Sequence, residues 1–531
     1  MNSIRPKDSV SRIAIYCLLL TPIGLLLSAC ATTNPSKKPP EFSFIETTID
    51  DIHVAIKGQT IDCESITNGF LSRIKKYDEI SNLNSIIFIN PNAIKEAQIL
   101  DKKYQETKTM QSLHCVPIIL KDNFDTADMP TEAGSIALSG SIPPDDAYMV
   151  KKLRQADAII IAKSNMGEWA FSPYNTISST HGETRNAYDL SRVPAGSSGG
   201  TASAIAANFG VIGMGSDTGN SIRGPASHLA LVGIRPTIGV TSRDGIVPLL
   251  LNRDVGGPLM RTVRDTAIVF NVIAGVDPAD ATTKSYENHK VEDYTTHLTR
   301  NGLSKIRMGA LRQIYDSETA DKQILAVFAQ ALKDLQLSGA VIIDPVTIPN
   351  FAELVKGTGF CGRFRYDINN YLKTLSNDIE IKTLQEIVDQ EKFRPENSGA
   401  MKWAMSIAAD VKPAEQKPPC TDLEGDPRRK ALLNAVVTTM DSLKLDALIY
   451  PTWSNPPRKI NDSESPHGNN SPVIAPHSGQ PAITVPMGYV GNKLPVGLQI
   501  LGRPFSEEKL FQYAYAYEQA THHRKPPLLF P

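Results

Sequence analysis

The chain has 531 residues, of which 41% are hydrophobic and 21% are charged, and its formal net charge at pH 7 is −1. This hydrophobic content suffices for a large buried core and argues against a disordered chain. A nearly neutral chain without a basic stripe also argues against nucleic acid as a partner.

The first 29 residues have the pattern of a lipoprotein signal peptide. Basic residues precede an apolar run over positions 13–27, which has the length of a signal-peptide hydrophobic region and is short for a membrane span. The run ends in Leu27-Ser28-Ala29-Cys30, which resembles a bacterial lipobox. It predicts cleavage before Cys30 and lipidation of its thiol, the alternative being a plain signal peptide with a chance cysteine. We expect an exported protein, lipid-anchored to the bacterial cell envelope (outer membrane facing the periplasm), whose only membrane contact is this lipid.

Residues 30–45 form the lipidated cysteine and a small, polar, proline-rich segment that predicts a flexible tether. Residues 46–531 are expected to fold as one domain. In an oxidising compartment its four cysteines can form disulfides, and three pairings are open. These cysteines are Cys63, Cys115, Cys361 and Cys420. No C-x-x-C pair and no H-E-x-x-H motif occurs, so we predict no metal site.

Helical and strand patterns alternate through the first half of the domain. Two compact apolar runs, 116–120 and 158–162, predict buried strands, and the helical pattern over 146–157 lies between them. This order predicts an α/β domain with a central mixed, mostly parallel β-sheet covered by helices on both faces.

The stretch from position 194 to 236 holds two serine clusters set among glycines. Gly196-Ser197-Ser198-Gly199-Gly200 opens an alanine-rich helix, and Thr218-Gly219-Asn220-Ser221 follows a short apolar strand. Glycines let backbone amides converge on one point without interference from a Cβ atom. Hydroxyls beside such amides offer a nucleophile, a proton relay and an oxyanion hole, which acyl transfer requires.

This stretch closely resembles the signature of the amidase signature family of serine hydrolases, and the similarity covers roughly residues 46 to 531. In that family the first serine of Ser-Ser-Gly-Gly and the serine of Gly-x-Ser-Ile-Arg act with an upstream lysine in a Pro-x-x-x-Lys-Asp context. The matching residues here are Ser197, Ser221 and Lys121, and the two serines are 24 positions apart. Ala195 and Asn220 stand where many members have glycine, and the second change falls within the oxyanion loop.

The resemblance implies an amidase that hydrolyses a carboxamide to an acid plus ammonia or an amine, without a cofactor. It implies Lys121 as the base, Ser197 as a relay at a cis peptide bond, and Ser221 as the nucleophile that becomes acylated. Its substrate would be a small-molecule or peptide amide. The oxyanion would be held by the backbone N–H groups of Thr218, Gly219, Asn220 and Ser221. Supporting hydrogen bonds are expected from Ser198, Asp217 and Arg223.

A lysine that acts as a base must be neutral. The apolar residues 116–120 penalise the charged amine, and lowering its pKa from ~10.4 to ~7 requires roughly 4–5 kcal/mol. A carboxylate aimed at the amine would oppose this shift, so we predict that Asp122 points away from Lys121. The rival base is Lys163, in a segment that resembles a family segment flanking the site.

Two other catalytic interpretations are weaker. The G-x-S-x-G pattern would make Ser198 the nucleophile of an α/β-hydrolase elbow, but an elbow needs a buried strand directly before it, and 187–194 is polar. We therefore expect Ser198 to cap the following helix or donate a structural hydrogen bond. His228 follows Ser221 closely and is interpreted as a structural histidine.

Two alternative functions remain open. One is a catalytically silent envelope-binding lipoprotein on the same fold. The other is a cytoplasmic-type amidotransferase subunit that supplies ammonia to a tRNA-charging complex, which the export signal disfavours. Residues 350–425 fit the family pattern least and would form either the substrate mouth or loose surface. The sequence leaves homo-oligomerisation open.

Overall fold

The computed structural model describes residues 42–376 and 379–531. The predicted signal peptide, Cys30 and nearly all of the tether lie outside these residues. The strands are β1 (Ile86–Ile89), β2 (Pro117–Lys121), β3 (Ile159–Ser164), β4 (Ile177–Ser178), β5 (Gly182–Glu183), β6 (Ile212–Asp217), β7 (Val232–Arg235), β8 (Val255–Met260), β9 (Arg307–Ala310), β10 (Val341–Ile343), β11 (Ala447–Pro451), β12 (Ala482–Val490) and β13 (Leu494–Leu501).

Helices connect most of these strands. They are α1 (Ile49–Lys57), α2 (Cys63–Ser81), α3 (Ala93–Thr107), α4 (Tyr148–Gln155), α5 (Gly199–Ala206), α6 (Arg223–His228), α7 (Val263–Ile273), α8 (Arg312–Tyr315), α9 (Lys322–Leu337), α10 (Phe351–Gly357), α11 (Phe364–Leu372), α12 (Leu384–Asp389), α13 (Ser398–Met405), α14 (Pro427–Ser442), α15 (Ala475–Ser478) and α16 (Glu507–Thr521). None of the helices within the described ranges combines the length and the hydrophobicity that a membrane span needs.

Eleven strands form one mixed sheet in the order β1-β3-β2-β6-β8-β7-β12-β13-β11-β9-β10, and β4 and β5 form a small separate sheet. The predicted α/β domain with a mixed sheet is confirmed. The expectation that the sheet is mostly parallel is wrong, because only four of the ten neighbouring pairs in the described sheet are parallel and six are antiparallel. Helical crossovers produce the parallel pairs on each side, whereas the central strands, including the β12–β13 hairpin, pair antiparallel.

Two helices show how the sequence fixes the packing. In α2 the side chains of Ile66, Phe70 and Ile74 recur at helical spacing and are buried, as their pattern predicts. In α5 all eight residues are buried. Because its residues are mostly glycine and alanine, this helix can lie close to β2, β6 and β8. The packing of α5 against β2 and β6 brings both serine clusters to the end of β2.

The segment 350–425 is a set of short helices with an apolar cluster of its own. Helices α11, α12 and α13 pack around Trp169, which comes from the main domain. A disulfide between Cys361 and Cys420 joins the two ends of this helical segment. A second disulfide joins Cys63 at the start of α2 to Cys115, just before β2. These two bonds select one of the three pairings that the sequence leaves open.

Candidate active site

Lys121 and Ser216 lie at the carboxyl ends of two neighbouring parallel strands, β2 and β6. The Lys121 amine donates hydrogen bonds to Ser197 Oγ and to Ser216 Oγ, each at 2.8 Å. The side-chain amide of Asn123 donates to the same Ser216 oxygen at 3.0 Å. Ligand sites of α/β sheets commonly form at such strand ends. The structure therefore brings the predicted lysine and the first predicted serine into direct contact.

Ser197 lies in a tight loop between Pro194 and α5. The peptide bond between Gly196 and Ser197 is cis, as the family resemblance implies. A Cβ atom on Gly196 would lie 2.1 Å from the carbonyl oxygen of Asn175, so only glycine fits there. Ala195, which replaces a common family glycine, has a positive φ of 65°. The Ser197 carbonyl accepts a hydrogen bond from the Gly167 amide at 3.0 Å.

The amine of Lys121 sits in an environment that favours its neutral form. Burial is the largest influence and lowers the pKa of Lys121 to about 7, although the carboxylates of Asp217 and Asp254 raise it. The Lys121 side chain is fully buried, and so is that of Ser197. A neutral amine has a lone pair that can accept the Ser197 hydroxyl proton. The pair can therefore act as base and proton donor near neutral pH.

Asp122 points away from the lysine amine, as predicted. Its carboxylate accepts hydrogen bonds from the backbone amides of Glu132 and Gly134, at 3.2 and 3.0 Å. Burial raises the pKa of Asp122 to about 6, against the attraction of the Lys163 ammonium. Lys163 donates to the carbonyl of Phe124 at 2.6 Å and so anchors the loop that follows β2. Because it contacts neither serine, Lys163 does not have the geometry of the base.

Ser221 lies on the wall of a cleft of about 370 Å³, together with Thr218, Gly219 and Asn220. Within residues 42–376 and 379–531, none of these four backbone amides donates a hydrogen bond to another residue. Free amides that line a cleft in a tight turn are the arrangement that an oxyanion hole requires. The Ser221 hydroxyl likewise makes no hydrogen bond with any described residue, so the structure does not contain a Ser197–Ser221 hydrogen bond.

The side chain of Asn220 joins the two serine loops. Its amide donates to the carbonyl of Gly196 and to the carbonyl of Pro173, both at 3.2 Å. The residue before Ser221 is thereby bonded to the residue before Ser197. The sequence departure from glycine at this position adds a bridge that glycine lacks.

Asp217 and Arg223 make buried hydrogen bonds next to the loop of residues 218–221. The Asp217 carboxylate accepts from Arg223 at 3.1 Å and from Arg235 at 2.9 Å, and all three side chains are fully buried. The Arg223 guanidinium also donates to the Gly219 carbonyl at 2.6 Å. These paired charges hold the pKa of Asp217 below its usual value despite its burial. The loop is therefore fixed by charge-assisted hydrogen bonds.

Ser198 and His228 have structural contacts only. Ser198 donates to the Ser216 carbonyl at 3.2 Å and makes no side-chain cap of α5. No strand directly precedes Ser198 in the described chain, so the hydrolase-elbow interpretation is wrong. The imidazole of His228 stacks on Trp453, with ring centroids 4.6 Å apart. Burial lowers its pKa to about 3, and it contacts neither catalytic candidate.

A further cluster combines Cys63, His114 and Cys115, whose ligand-type atoms lie within 4.8 Å of one another. A thiolate is the form of cysteine that binds a metal. Because the two sulfur atoms are joined in a disulfide, the cluster offers a single imidazole. The residues present here do not fit a resident metal ion.

The family model described as Amidase matches residues 65–511 of this chain. The chain belongs to the amidase family. A probable amidase of Arabidopsis thaliana is 32% identical, over 96% of this chain and 97% of that protein. A glutamyl-tRNA(Gln) amidotransferase subunit of Microcystis aeruginosa is 32% identical, over 90% of this chain and 99% of that protein. The native peptide amidase of Stenotrophomonas maltophilia has a similar structure, with a TM-score of 0.82 and 33% identity over 92% of this chain and 100% of that one. The protein is thus a hydrolase that acts on amide C–N bonds.

Three residues at the site of this amidase, Ser216, Asn123 and Asp254, are not among the site residues predicted from the sequence. Ser216 accepts a hydrogen bond from the Lys121 amine and another from Asn123, and Asp254 accepts a hydrogen bond from Thr218 at 2.5 Å. A signal for Ser216 exists in the sequence, since a hydroxyl ends the apolar strand five positions before Ser221. Asp254 carries no comparable signal, because it is distant in sequence from both serine clusters.

The cleft of the amidase is lined mainly by apolar and aromatic residues. Among the described residues that line it, none is Asp, Glu, Lys or Arg. The segment 350–425, which was expected to form either the substrate mouth or loose surface, contributes part of the wall. Its contributions are Phe360, Ala400 and Trp403.

Proposed function

We propose that this protein is an exported, lipid-anchored amidase that hydrolyses carboxamides through an acyl-enzyme on Ser221, with Lys121 as base and Ser197 as relay. One observation carries the catalytic part of this proposal. The buried Lys121 amine lies 2.8 Å from Ser197 Oγ, and its pKa of about 7 leaves it partly neutral at physiological pH.

In the first half of the reaction, the lone pair of neutral Lys121 accepts the Ser197 proton, and Ser197 accepts the proton of Ser221. The Ser221 oxygen forms a bond to the amide carbonyl carbon, and the carbonyl electron pair moves onto oxygen. The amides of residues 218–221 hold this oxyanion. Removing one such donor typically costs about 3 kcal/mol of barrier.

In the second half, the carbonyl re-forms and the C–N bond breaks. The proton on Lys121 returns through Ser197 to the leaving nitrogen, which departs as ammonia or an amine. Water then attacks the ester on Ser221 by the same proton path and releases the acid. No cofactor takes part in these steps.

The path requires a hydrogen bond between Ser197 and Ser221 that forms during substrate binding. A serine hydroxyl can reach a new partner by rotation about one bond, and catalytic hydrogen bonds often tighten only with substrate bound. The Asn220 bridge to Gly196 supports this step, because it holds the two loops next to each other.

The lining of the cleft favours a substrate whose part next to the scissile amide is uncharged and apolar. Free glutamine carries both an ammonium and a carboxylate, and burying such charges without partners is costly. Since no charged side chain is among the described lining residues, a glutaminase of the amidotransferase type is disfavoured. A peptide with a C-terminal amide fits this lining, and the solved structure with a TM-score of 0.82 is of a peptide amidase.

Export and lipid anchoring are proposed from the N-terminal sequence, with cleavage before Cys30. The disulfides Cys63–Cys115 and Cys361–Cys420 support an oxidising compartment. Cys30→Ser should release or misprocess the protein in fractionated cells. Unchanged membrane attachment of that variant would overturn lipidation.

The catalytic proposal is tested with purified protein lacking residues 1–30, on a panel of peptide, aliphatic and aryl amides. We expect release of ammonia or amine that Ser221→Ala abolishes. Equal rates for the two proteins would overturn the role of Ser221. No hydrolysis across the panel would favour the alternative of a catalytically silent binding lipoprotein.

A further inference from the structure

A second cavity lies next to the active-site cleft. It measures about 570 Å³ and is formed almost wholly by the segment 350–425. The two cavities share two lining residues, Phe360 and Trp403. Both side chains are large and apolar yet exposed, at 45% and 43%. Exposed aromatic residues between two cavities are typical of a binding surface.

Phe360 is held in a fixed position. The guanidinium of Arg253 lies over its ring at 5.3 Å, and the ring of His477 lies 5.0 Å away. The next residue, Cys361, is covalently tied to Cys420. The aromatic boundary between the cavities is therefore part of a cross-linked wall.

The lining of the second cavity leaves free space at two glycines, and most of its charged side chains are basic. Gly357 and Gly359 lie along it, and a Cβ atom on either would meet no other atom within 4 Å. Among the described residues, Lys356 and Lys417 line the cavity without an ion-pair partner. Arg428 is paired with Asp426, and Glu415 is the negative side chain of the lining. The unpaired basic side chains of this lining, Lys356 and Lys417, thus outnumber its acidic side chain, Glu415.

We propose that the second cavity binds the distal part of the substrate's acyl group, and that this part carries an acidic group. This inference rests on the proposed function. When a primary amide is cleaved, the leaving group is ammonia, so any bulk that fills the second cavity belongs to the acyl side. The chain passes between Phe360 and Trp403, and its carboxylate reaches Lys356 and Lys417. The substrate is then an elongated, acidic amide such as a peptide amide with an anionic far end.

The test uses peptide amides of one to four residues, each with an N-terminal acetyl or succinyl cap. Extended peptide spans about 3.3–3.6 Å per residue, so length moves the cap stepwise out of the first cleft. We expect kcat/KM to rise with length, and the succinyl cap to add about a two- to fivefold advantage only in the longer peptides, as for an exposed ion pair.

Two variants test the aromatic boundary and the lysines of the second cavity separately. Trp403→Ala should remove about tenfold of the gain in kcat/KM between the one-residue and the four-residue amide. The double change Lys356→Gln and Lys417→Gln should abolish the succinyl advantage and leave acetyl peptides unaffected. Lys333→Gln, which removes an exposed lysine on α9, is the control and should change neither property.

The outcomes distinguish this inference from the proposed function. If Ser221-dependent cleavage occurs but length and cap have no effect, the inference is overturned and the amidase assignment stands. A succinyl advantage that survives the double lysine change also overturns it. If no amide is cleaved at all, the proposed function itself fails.

Discussion

The amine of Lys121 and the hydroxyl of Ser197 are 2.8 Å apart, and both side chains are completely buried. Burial penalises the ammonium form, which is why the pKa of the lysine falls to about 7. The same burial separates the Lys121–Ser197 contact from bulk solvent. This contact links the sequence, in which the two residues are 76 positions apart, to the proposed chemistry.

The rate should depend on pH through this lysine. Because only the neutral amine accepts a proton, kcat/KM should fall about tenfold per unit below an apparent pKa of about 7 and level off above it. Lys121→Arg, which stays charged, should be inactive at every pH. Asp125 also has a pKa raised to about 7 by burial, so Asp125→Asn is the control. Loss of the acid limb in that variant would assign it to Asp125.

The hydroxyl of Ser216 should raise the pKa of Lys121. Its oxygen accepts a hydrogen bond from the Lys121 amine and so stabilises the charged form. Ser216→Ala should therefore shift the acid limb of the pH profile to lower pH. It should also lower kcat about tenfold, the value of roughly one hydrogen bond. Ser216→Thr keeps the oxygen and should restore both. An unshifted pH limb in the alanine variant would show that Ser216 does not interact with the base.

The bridge from Asn220 to Gly196 should affect turnover more than binding. Asn220→Gly removes the hydrogen bond between the serine loops and a second one to Pro173, and we expect kcat to fall about tenfold with KM nearly constant. Asn492→Gly in the exposed β12–β13 hairpin is the matched control and should leave both constants unchanged. An unchanged kcat in Asn220→Gly would show that the bridge plays no part in catalysis.

The buried ion pairs of Asp217 should be important for stability. Arg235→Met leaves part of a fully buried carboxylate uncompensated, and breaking such a pair costs about 3–5 kcal/mol. Arg264→Met removes an exposed pair with Asp50 and should cost less than about 1 kcal/mol. Urea unfolding of both variants compares the free energies. Similar losses for the two would contradict the structural role of the buried pair.

The sequence predicted the parts of this site that depend on local pattern. Lys121 follows an apolar run that becomes β2, and the serine clusters of Ser197 and Ser221 flank an alanine-rich helix. These features set the burial and the backbone geometry of short stretches. The partnership of Lys121 with Ser197 was predicted from the resemblance to the amidase signature family. The orientation of Asp122 away from the amine was predicted because a carboxylate aimed at the amine would keep it charged.

The remaining features depend on which distant strands become neighbours. Ser216 reaches the lysine only because β6 pairs with β2, and the antiparallel centre of the sheet depends on the pairing of β7 with β12, which are far apart in sequence. The disulfide pairs and the wall formed by residues 350–425 likewise depend on tertiary contacts. No local periodicity encodes such contacts, which explains why the sheet was predicted to be mostly parallel although most of its neighbouring strands pair antiparallel.

The most direct test of the mechanism is to locate the acyl group on the enzyme. The protein is mixed with an aryl ester that carries the acyl group of a good amide substrate, quenched in acid within the first turnover, digested and mapped by mass spectrometry. The mechanism predicts the mass of the acyl group on the peptide containing Ser221, and its absence from Ser221→Ala. Acylation of Ser197 or Ser198 instead, or full turnover by Ser221→Ala, would contradict it.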